Sequence, residues 1–277
     1  MAGVIPSMNQ EEYLLLNELI TRRFGITFPE ARRQLLESRL RPRLEALHLQ
    51  SFRDYYIHLQ CDTNGEGHRL AESVTNNETY FFREIRQLET LFTEPASLIC
   101  PSGSMRVLSM GCSSGEEPYS LAILARNQPQ PLSGPRVDIH AVDLDASRIA
   151  MARQAEYGRT SLRALSETEI ASHFVPQGPE RWTLKPCYRQ AVRFTWGNLL
   201  DLRTLPTVET GFDAIFCRNV LIYFAESALH RAVRNFASLL RPGGLLFLGA
   251  SESIIGLSKD FETLRLGGGI AYRSCAR

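Results

Sequence analysis

The sequence lacks long apolar runs, paired cysteines and an excess of either charge. No hydrophobic stretch approaches the roughly 18 residues of a membrane-crossing helix, so no transmembrane span is expected. Glu11 and Glu12 stand before the first apolar run where a secretory leader carries basic residues, so no leader is expected. Six cysteines (Cys61, Cys100, Cys112, Cys187, Cys217 and Cys275) are scattered without a C-x-x-C pair. That pattern argues against a disulfide framework and against a metal site, and for reduced thiols in a cytoplasmic protein. Lys and Arg number 31 against 30 Asp and Glu, a formal charge of +1. The balance argues against a protein that coats nucleic acid or an anionic membrane.

What is present suits a globular protein. The 277 residues are 44% hydrophobic and 22% charged, enough for a core and for one large domain or two unequal ones. Residues 8–75 read as helical. Leu15, Leu19 and Arg22–Phe24 keep a 3.6 period that Gly25 stops, and a second helix starts near Pro29 with Leu36, Leu40, Leu44 and Leu47 as its stripe. Pro42 predicts a kink or a helix-to-helix junction. Shorter helices fit 52–60 and 68–75.

From residue 106 short apolar runs alternate with helical stretches. Strands are predicted at 106–110, 137–142, 192–196, 213–217, 245–249 and 270–273, and helices at 117–126, 146–155 and 226–240. Such alternation implies an α/β fold with a mostly parallel sheet. Residues 160–191, with Pro176, Gly178, Pro179 and Pro186, are too long for a plain crossover and read as an inserted subdomain. The expected division is a helical domain over 1–85, a linker over 86–100 and an α/β domain over 101–277.

The strongest local signal is Val107–Ser120, where a strand, a turn holding Gly111 and Gly115, and a helix opening on Glu116 and Glu117 follow one another. Such a turn lies at the carboxyl ends of the strands, where ligands bind in wound sheets. A triphosphate loop needs G-x-x-x-x-G-K-[ST], and no Lys follows here. A dinucleotide loop needs G-x-G-x-x-G, and two acids would repel its pyrophosphate. S-adenosylmethionine carries an ammonium and a sulfonium and no phosphate, so carboxylates favour it. Asp143 ends the second predicted strand and is placed for both ribose hydroxyls, while Asp145 reads as a helix cap. Asn198 and Asn219 follow later strands, where an amide can donate to and accept from an adenine edge. Arg218-Asn219-Val220-Leu221 stands where a DNA-base methyltransferase would carry Asn/Asp-Pro-Pro-Tyr/Phe, which argues against base methylation.

These motifs resemble those of the chemotaxis receptor methyltransferases (CheR-like protein-glutamate O-methyltransferases). The resemblance runs through Asn77–Arg83, Gly111–Ser120, Asp143–Asp145, Asn198–Leu200, Phe212–Phe224, Arg241–Gly244 and Gly249–Ser253. It implies a class I S-adenosylmethionine-dependent methyltransferase: a Rossmann-like, mostly parallel seven-stranded sheet, an N-terminal all-helical domain and a small inserted β-containing subdomain. It implies methyl transfer to glutamates in the cytoplasmic helical domain of a chemoreceptor, by a monomer, with S-adenosylhomocysteine as product. It further implies cofactor contacts from Asn77, Thr79, Arg83, Gly111, Glu117, Asp143, Asn198, Leu199, Arg218 and Asn219. Tyr223 and Arg83 are the residues expected to serve the acceptor. In some members the insert docks a receptor tail peptide. A silent cofactor-binding adaptor and a methyltransferase for a small molecule or RNA are the alternatives.

The neutral total hides a local excess. Residues 32–43 hold Arg32, Arg33, Arg39, Arg41 and Arg43 against Glu37, a net of +4. On one helix that keeps its phase through Pro42, Arg32, Arg39 and Arg43 fall within about 40° of one another. Such a run reads as a solvated face or, given the resemblance, as a docking surface for acidic receptor helices, with phosphate-backbone binding as a third reading.

Overall fold

The computed structural model describes residues 5–61, 65–93, 104–128, 136–205 and 211–275. They form two compact units, one of Met1–Asn76 with Tyr223–Arg231, the other of Asn77–Ile222 with Ala232–Arg277.

The first unit is helical. Helix α1 (Gln10–Phe24) opens on a capping box between Asn9 and Glu12 and stops at Gly25, whose φ of 79° is open to glycine. Leu16, Leu19 and Ile20 form its buried stripe. Helix α2 (Arg33–Ala46) follows a single 3-10 turn behind Pro29 and buries Leu36, Leu40 and Leu44. Of the kink or junction expected at Pro42, the junction does not form: α2 runs through the proline. Pro42 is exposed, as is Ser38, whose carbonyl loses its helical partner, so water meets the cost. Helices α3 (Phe52–Gln60) and α4 (Glu66–Val74) complete the set, and Phe52, Tyr55, Leu59 and Leu70 are fully buried. Arg43 reaches from α2 to Glu66 through Nε (2.8 Å) and Nη2 (2.7 Å), and Tyr55 donates to the same carboxylate at 2.9 Å. The later segment is tied in by backbone: Thr27 N donates to the Tyr223 carbonyl at 2.9 Å, and Ile26 bridges Phe224.

The second unit is an α/β sheet of seven strands. Strands β1 (Ser104–Met110), β2 (Arg136–Asp143), β6 (Val192–Trp196), β7 (Phe212–Cys217) and β8 (Leu240–Leu248) are parallel. Strand β10 (Gly269–Ser274) runs antiparallel to both β8 and β9 (Phe261–Leu266). The order is β6–β2–β1–β7–β8–β10–β9. Helices α5 (Ile85–Thr93), α6 (Glu116–Asn127), α7 (Ala146–Gln154) and α10 (Glu226–Leu239) accompany these strands. A second, antiparallel sheet joins β3 (Glu156–Gly158), β5 (Arg181–Leu184) and β4 (Phe174–Gly178), with the short helices α8 (Glu167–His173) and α9 (Pro186–Arg189) beside them in sequence. Phe81 packs edge-on against Tyr157 and Phe174, at 4.8 and 5.0 Å between ring centres, so the segment before α5 is anchored to that small sheet.

The predicted strands appear within a few residues, with one correction. The strand expected at 245–249 starts earlier, so that Arg241–Gly244 belongs to β8, where the register against β7 shifts between Phe212 and Ala214. Arg241 fills the irregularity by donating from Nε to Asp213 Oδ1 at 2.6 Å. Part of the expected linker carries α5, whose Leu88 and Leu91 are buried; its remainder, 94–100, lies outside the described residues, as does Cys100.

Candidate functional site

Because β6, β2, β1 and β7 are parallel neighbours, their carboxyl ends share one edge of the sheet. Asn198, Asp143, Gly111 and Arg218 follow or occupy those four ends in that spatial order. Sequence-distant residues are thereby brought side by side, at the edge where wound sheets bind ligands.

The turn after β1 is set by Gly111 and Gly115, both left-handed at φ 77° and 93°, with Ser113 at 48° between them. A side chain at Gly111 would lie 2.4 Å from Val220 Cγ2. The absence of a Cβ there makes room for the turn after β7. The same loop turns its Ser113 amide onto Asp143 Oδ2 at 2.7 Å, while the Asp145 amide donates to Asp143 Oδ1 at 2.8 Å. Each carboxylate oxygen keeps a lone pair for a further donor. Burial pushes the Asp143 carboxyl up to about 6, against the pull of those two amides. Asp145 is the cap expected of it: Oδ1 takes the backbone amides of Ser147 and Arg148, and Oδ2 accepts from Asn77 Nδ2 at 2.7 Å. Ser113 Oγ donates to the Asn77 carbonyl at 3.2 Å, so Asn77 is held from both ends.

A second cluster surrounds Arg218, whose side chain is 2% exposed. Its Nη1 donates to Glu117 Oε2 at 3.2 Å. Its Nη2 donates to the Arg83 carbonyl at 2.6 Å and meets Glu84 Oε2 at 3.1 Å. Ser109 donates to Glu117 Oε1 at 2.7 Å. Burial raises the Glu117 carboxyl, and Arg218 and Ser109 act against that rise. The Arg83 guanidinium turns away, donating to the Glu78 carbonyl at 3.1 Å and lying over the Tyr80 ring. Thr79 is half-buried on the same segment.

The other predicted residues close on their own loops. Asn198 Oδ1 accepts from the Leu200 amide at 2.9 Å, and buried Leu199 offers its carbonyl to Asn235 at 2.7 Å. Asn219 has left-handed backbone at φ 60°, and its amide donates to Glu252 at 2.8 Å. Glu252 also accepts from Val220, Leu221, Ile222 and Gly249, all through backbone nitrogens. Residue patterning gave Glu252 and Glu84 no role. The signal was there in part, since Glu252 lies in the Gly249–Ser253 motif and Glu84 follows Arg83 directly. In the helical unit, Tyr223 accepts at its hydroxyl from Asn76 Nδ2 at 2.6 Å. Arg39 donates to the carbonyls of Val74 and Thr75, and Arg43 is committed to Glu66. Arg32 is exposed.

The donor set can be tested against a cofactor. Two carboxylates, Glu117 and Glu84, meet one arginine and leave one negative charge in surplus. Arg218 Nε is buried without a hydrogen-bond partner, an orphaned donor. A surplus negative charge, an orphaned donor and a buried carboxyl with lone pairs to spare suit an amino-acid end together with a ribose diol.

Comparison with known proteins agrees. The CheR methyltransferase SAM binding domain matches residues 77–269, and the CheR methyltransferase all-alpha domain matches residues 11–75. The chain belongs to the CheR methyltransferase family. Chemotaxis protein methyltransferase 2 of Vibrio cholerae is 35% identical over 258 residues, 92% of this chain and 89% of that protein. Chemotaxis protein methyltransferase 1 of Pseudomonas aeruginosa is 33% identical over 273 residues, 95% and 97% of the two chains. The relative from Vibrio parahaemolyticus is 34% identical over 276 residues, 96% of this chain and 98% of that protein. This CheR-family chain is therefore an S-adenosylmethionine-dependent methyltransferase in fold and cofactor. Among the described residues no helix is long and apolar enough to cross a membrane.

Proposed function

We propose that this protein acts in chemotaxis, transferring the methyl group of S-adenosylmethionine to glutamate side chains of a chemoreceptor's cytoplasmic helical domain. The products are glutamate methyl esters and S-adenosylhomocysteine. The observation that carries the reading is the match to chemotaxis protein methyltransferases along nearly the whole chain, helical unit included.

The cofactor supplies a methyl group on a positively charged sulfur. An acceptor glutamate with an ordinary pKa of about 4.3 is already ionised at pH 7, so the site needs no general base. With S-adenosylmethionine held in the site, the acceptor carboxylate would take the methyl group directly, and S-adenosylhomocysteine would leave. The protein's part is to position and to exclude water, and near-attack positioning alone can contribute up to about 7–11 kcal/mol.

In this reading Asp143 holds the ribose hydroxyls, Asn198 and Leu199 the adenine, and Glu117 the ammonium. Arg218, Asn219, Gly111, Asn77, Thr79 and Arg83 frame the remainder. Tyr223 orients the acceptor, with Arg83 serving the acceptor as well as the cofactor. The domain boundaries expected from sequence, with receptor contact assigned to the helical part, belong to the same proposal, as does a monomer in the cytoplasm.

Incubation with methyl-labelled cofactor and purified receptor cytoplasmic domains tests it. Base-labile label on receptor glutamates is expected. Cofactor binding without transfer to any receptor would instead make the protein an adaptor.

A further inference from the structure

The charge balance around Arg218 points to a residue that neither the motifs nor the family match assigns. Arg218 is buried and spends both terminal nitrogens, one on Glu117, the other on the Arg83 carbonyl and Glu84. Were Glu117 its sole carboxylate, the pair would be neutral. A neutral pair has little to offer an ammonium, because a guanidinium 3.2 Å away repels what the carboxylate attracts. Glu84 changes that sum. With it, the cluster is one arginine between two carboxylates.

Backbone geometry shows that this arrangement is built. Phe82 and Glu84 both stand in the left-handed region, at φ 58° and 50°, which side-chain-bearing residues seldom adopt. That conformation brings the Arg83 carbonyl and the Glu84 carboxylate to the same nitrogen of Arg218. The segment is anchored on both sides: the Phe81 amide donates to the Ser161 carbonyl at 2.9 Å, and the Phe82 amide donates to Ser120 Oγ at 2.9 Å.

We propose that Glu84 is a positioning residue for cofactor recognition: by neutralising Arg218 it leaves the charge of Glu117 available to the cofactor's ammonium. Glu84 acts through Arg218 and need not touch the cofactor. The inference rests on the assignment of Glu117 to that ammonium, and the experiment separates the two.

Titration calorimetry on the full chain compares two ligands, S-adenosylhomocysteine, which has the ammonium, and methylthioadenosine, which shares the nucleoside and thioether but lacks the amino acid. Glu84→Gln is expected to weaken S-adenosylhomocysteine about tenfold, or 1.4 kcal/mol, and methylthioadenosine less than twofold. Glu117→Gln should show the same selectivity, and the double variant should be no weaker than Glu117→Gln alone, since the two act in series. Glu84→Asp, which keeps the charge, should restore most of the discrimination, and it carries the test if Glu84→Gln melts early. Equal losses for both ligands in Glu84→Gln would make Glu84 merely structural and overturn the proposal. Selectivity in Glu117→Gln with none in Glu84→Gln would overturn Glu84 and spare Glu117. No selectivity in Glu117→Gln would overturn both.

Discussion

Glu252 Oε2 accepts from the Asn219 amide at 2.8 Å and from the Gly249 amide at 2.7 Å, so one carboxylate oxygen joins the ends of β7 and β8. With Oε1 taking the amides of Val220, Leu221 and Ile222, the carboxylate is the shared acceptor of a whole turn. Glu252→Ala would leave five amides to find water. At about 1–3 kcal/mol for each group that fails, a total loss of about 2–4 kcal/mol is expected. Thermal unfolding should shift down by roughly 5–15 °C. Amide exchange at 219–222 should accelerate more than elsewhere.

Asp143 sets a pH limit. Its carboxyl is pushed up to about 6 by burial, and in the role proposed for it the ionised form is the one that would accept two ribose hydroxyls. A cofactor that favours the ionised form must displace the proton at lower pH. Affinity should therefore fall as pH drops through 6, approaching tenfold per pH unit well below it. Asp143→Asn should bind weakly at all pH values and lose the step near 6. Calorimetric titration between pH 5 and 8 reads this directly.

The raised carboxyl also fixes a sign for the unliganded protein. A carboxyl whose folded pKa exceeds its unfolded value binds more protons when folded. Its contribution to stability is complete below the ordinary value of 3.8 and is lost as pH rises through about 6. Cofactor should restore stability at pH 7–8 more than at pH 5. Melting curves with and without S-adenosylhomocysteine at both pH values check it.

Gly111→Ala should be costly for two separable reasons. Its φ of 77° disfavours a side chain, and the new Cβ would sit 2.4 Å from Val220 Cγ2. Val220→Ala in the same chain removes the second reason only. Partial recovery of the melting temperature is expected in the double variant, of the order of half the loss.

The proposed docking of acidic receptor helices on the arginine stretch is better probed at Arg32 than at Arg39 or Arg43. Arg39 holds the end of α4 through Val74 and Thr75, and Arg43 is paired with Glu66, so their loss confounds docking with folding. Removing Arg43 should cost about 3 kcal/mol by taking an opposite charge and two hydrogen bonds from the buried Glu66 carboxylate. Arg32→Glu should leave the melting temperature and cofactor affinity unchanged and lower receptor methylation severalfold. Unchanged methylation would remove Arg32 from the receptor surface.

Sequence patterning recovered what depends on local period. The five parallel strands and β10 are buried apolar runs bounded by turn residues, and they stand near where they were expected. Strand β9 was missed because it is at the sheet edge, half-exposed and interrupted by Glu262 and Arg265. The three small strands β3, β4 and β5 were missed because three to five residues carry no readable period. The site shows the same division. Asp143 and Glu117 were legible because each follows a strand or opens a helix. Glu84 and Glu252 act on backbone groups or on another side chain far away in sequence, relations that exist only once the strands are ordered.

The pairing of Ile26 with Phe224 carries a consequence for biosynthesis. The helical unit that comes first in the chain borrows its closing segment, Tyr223–Arg231, from beyond the seventh strand. A ribosome that has made the first 76 residues has not yet made what Gly25 and Thr27 bond to. The nascent helices must wait, with that edge open, until most of the sheet has been translated. Domain-by-domain maturation in chain order is thus barred for the complete helical unit. Contacts of such long sequence separation are those that slow folding.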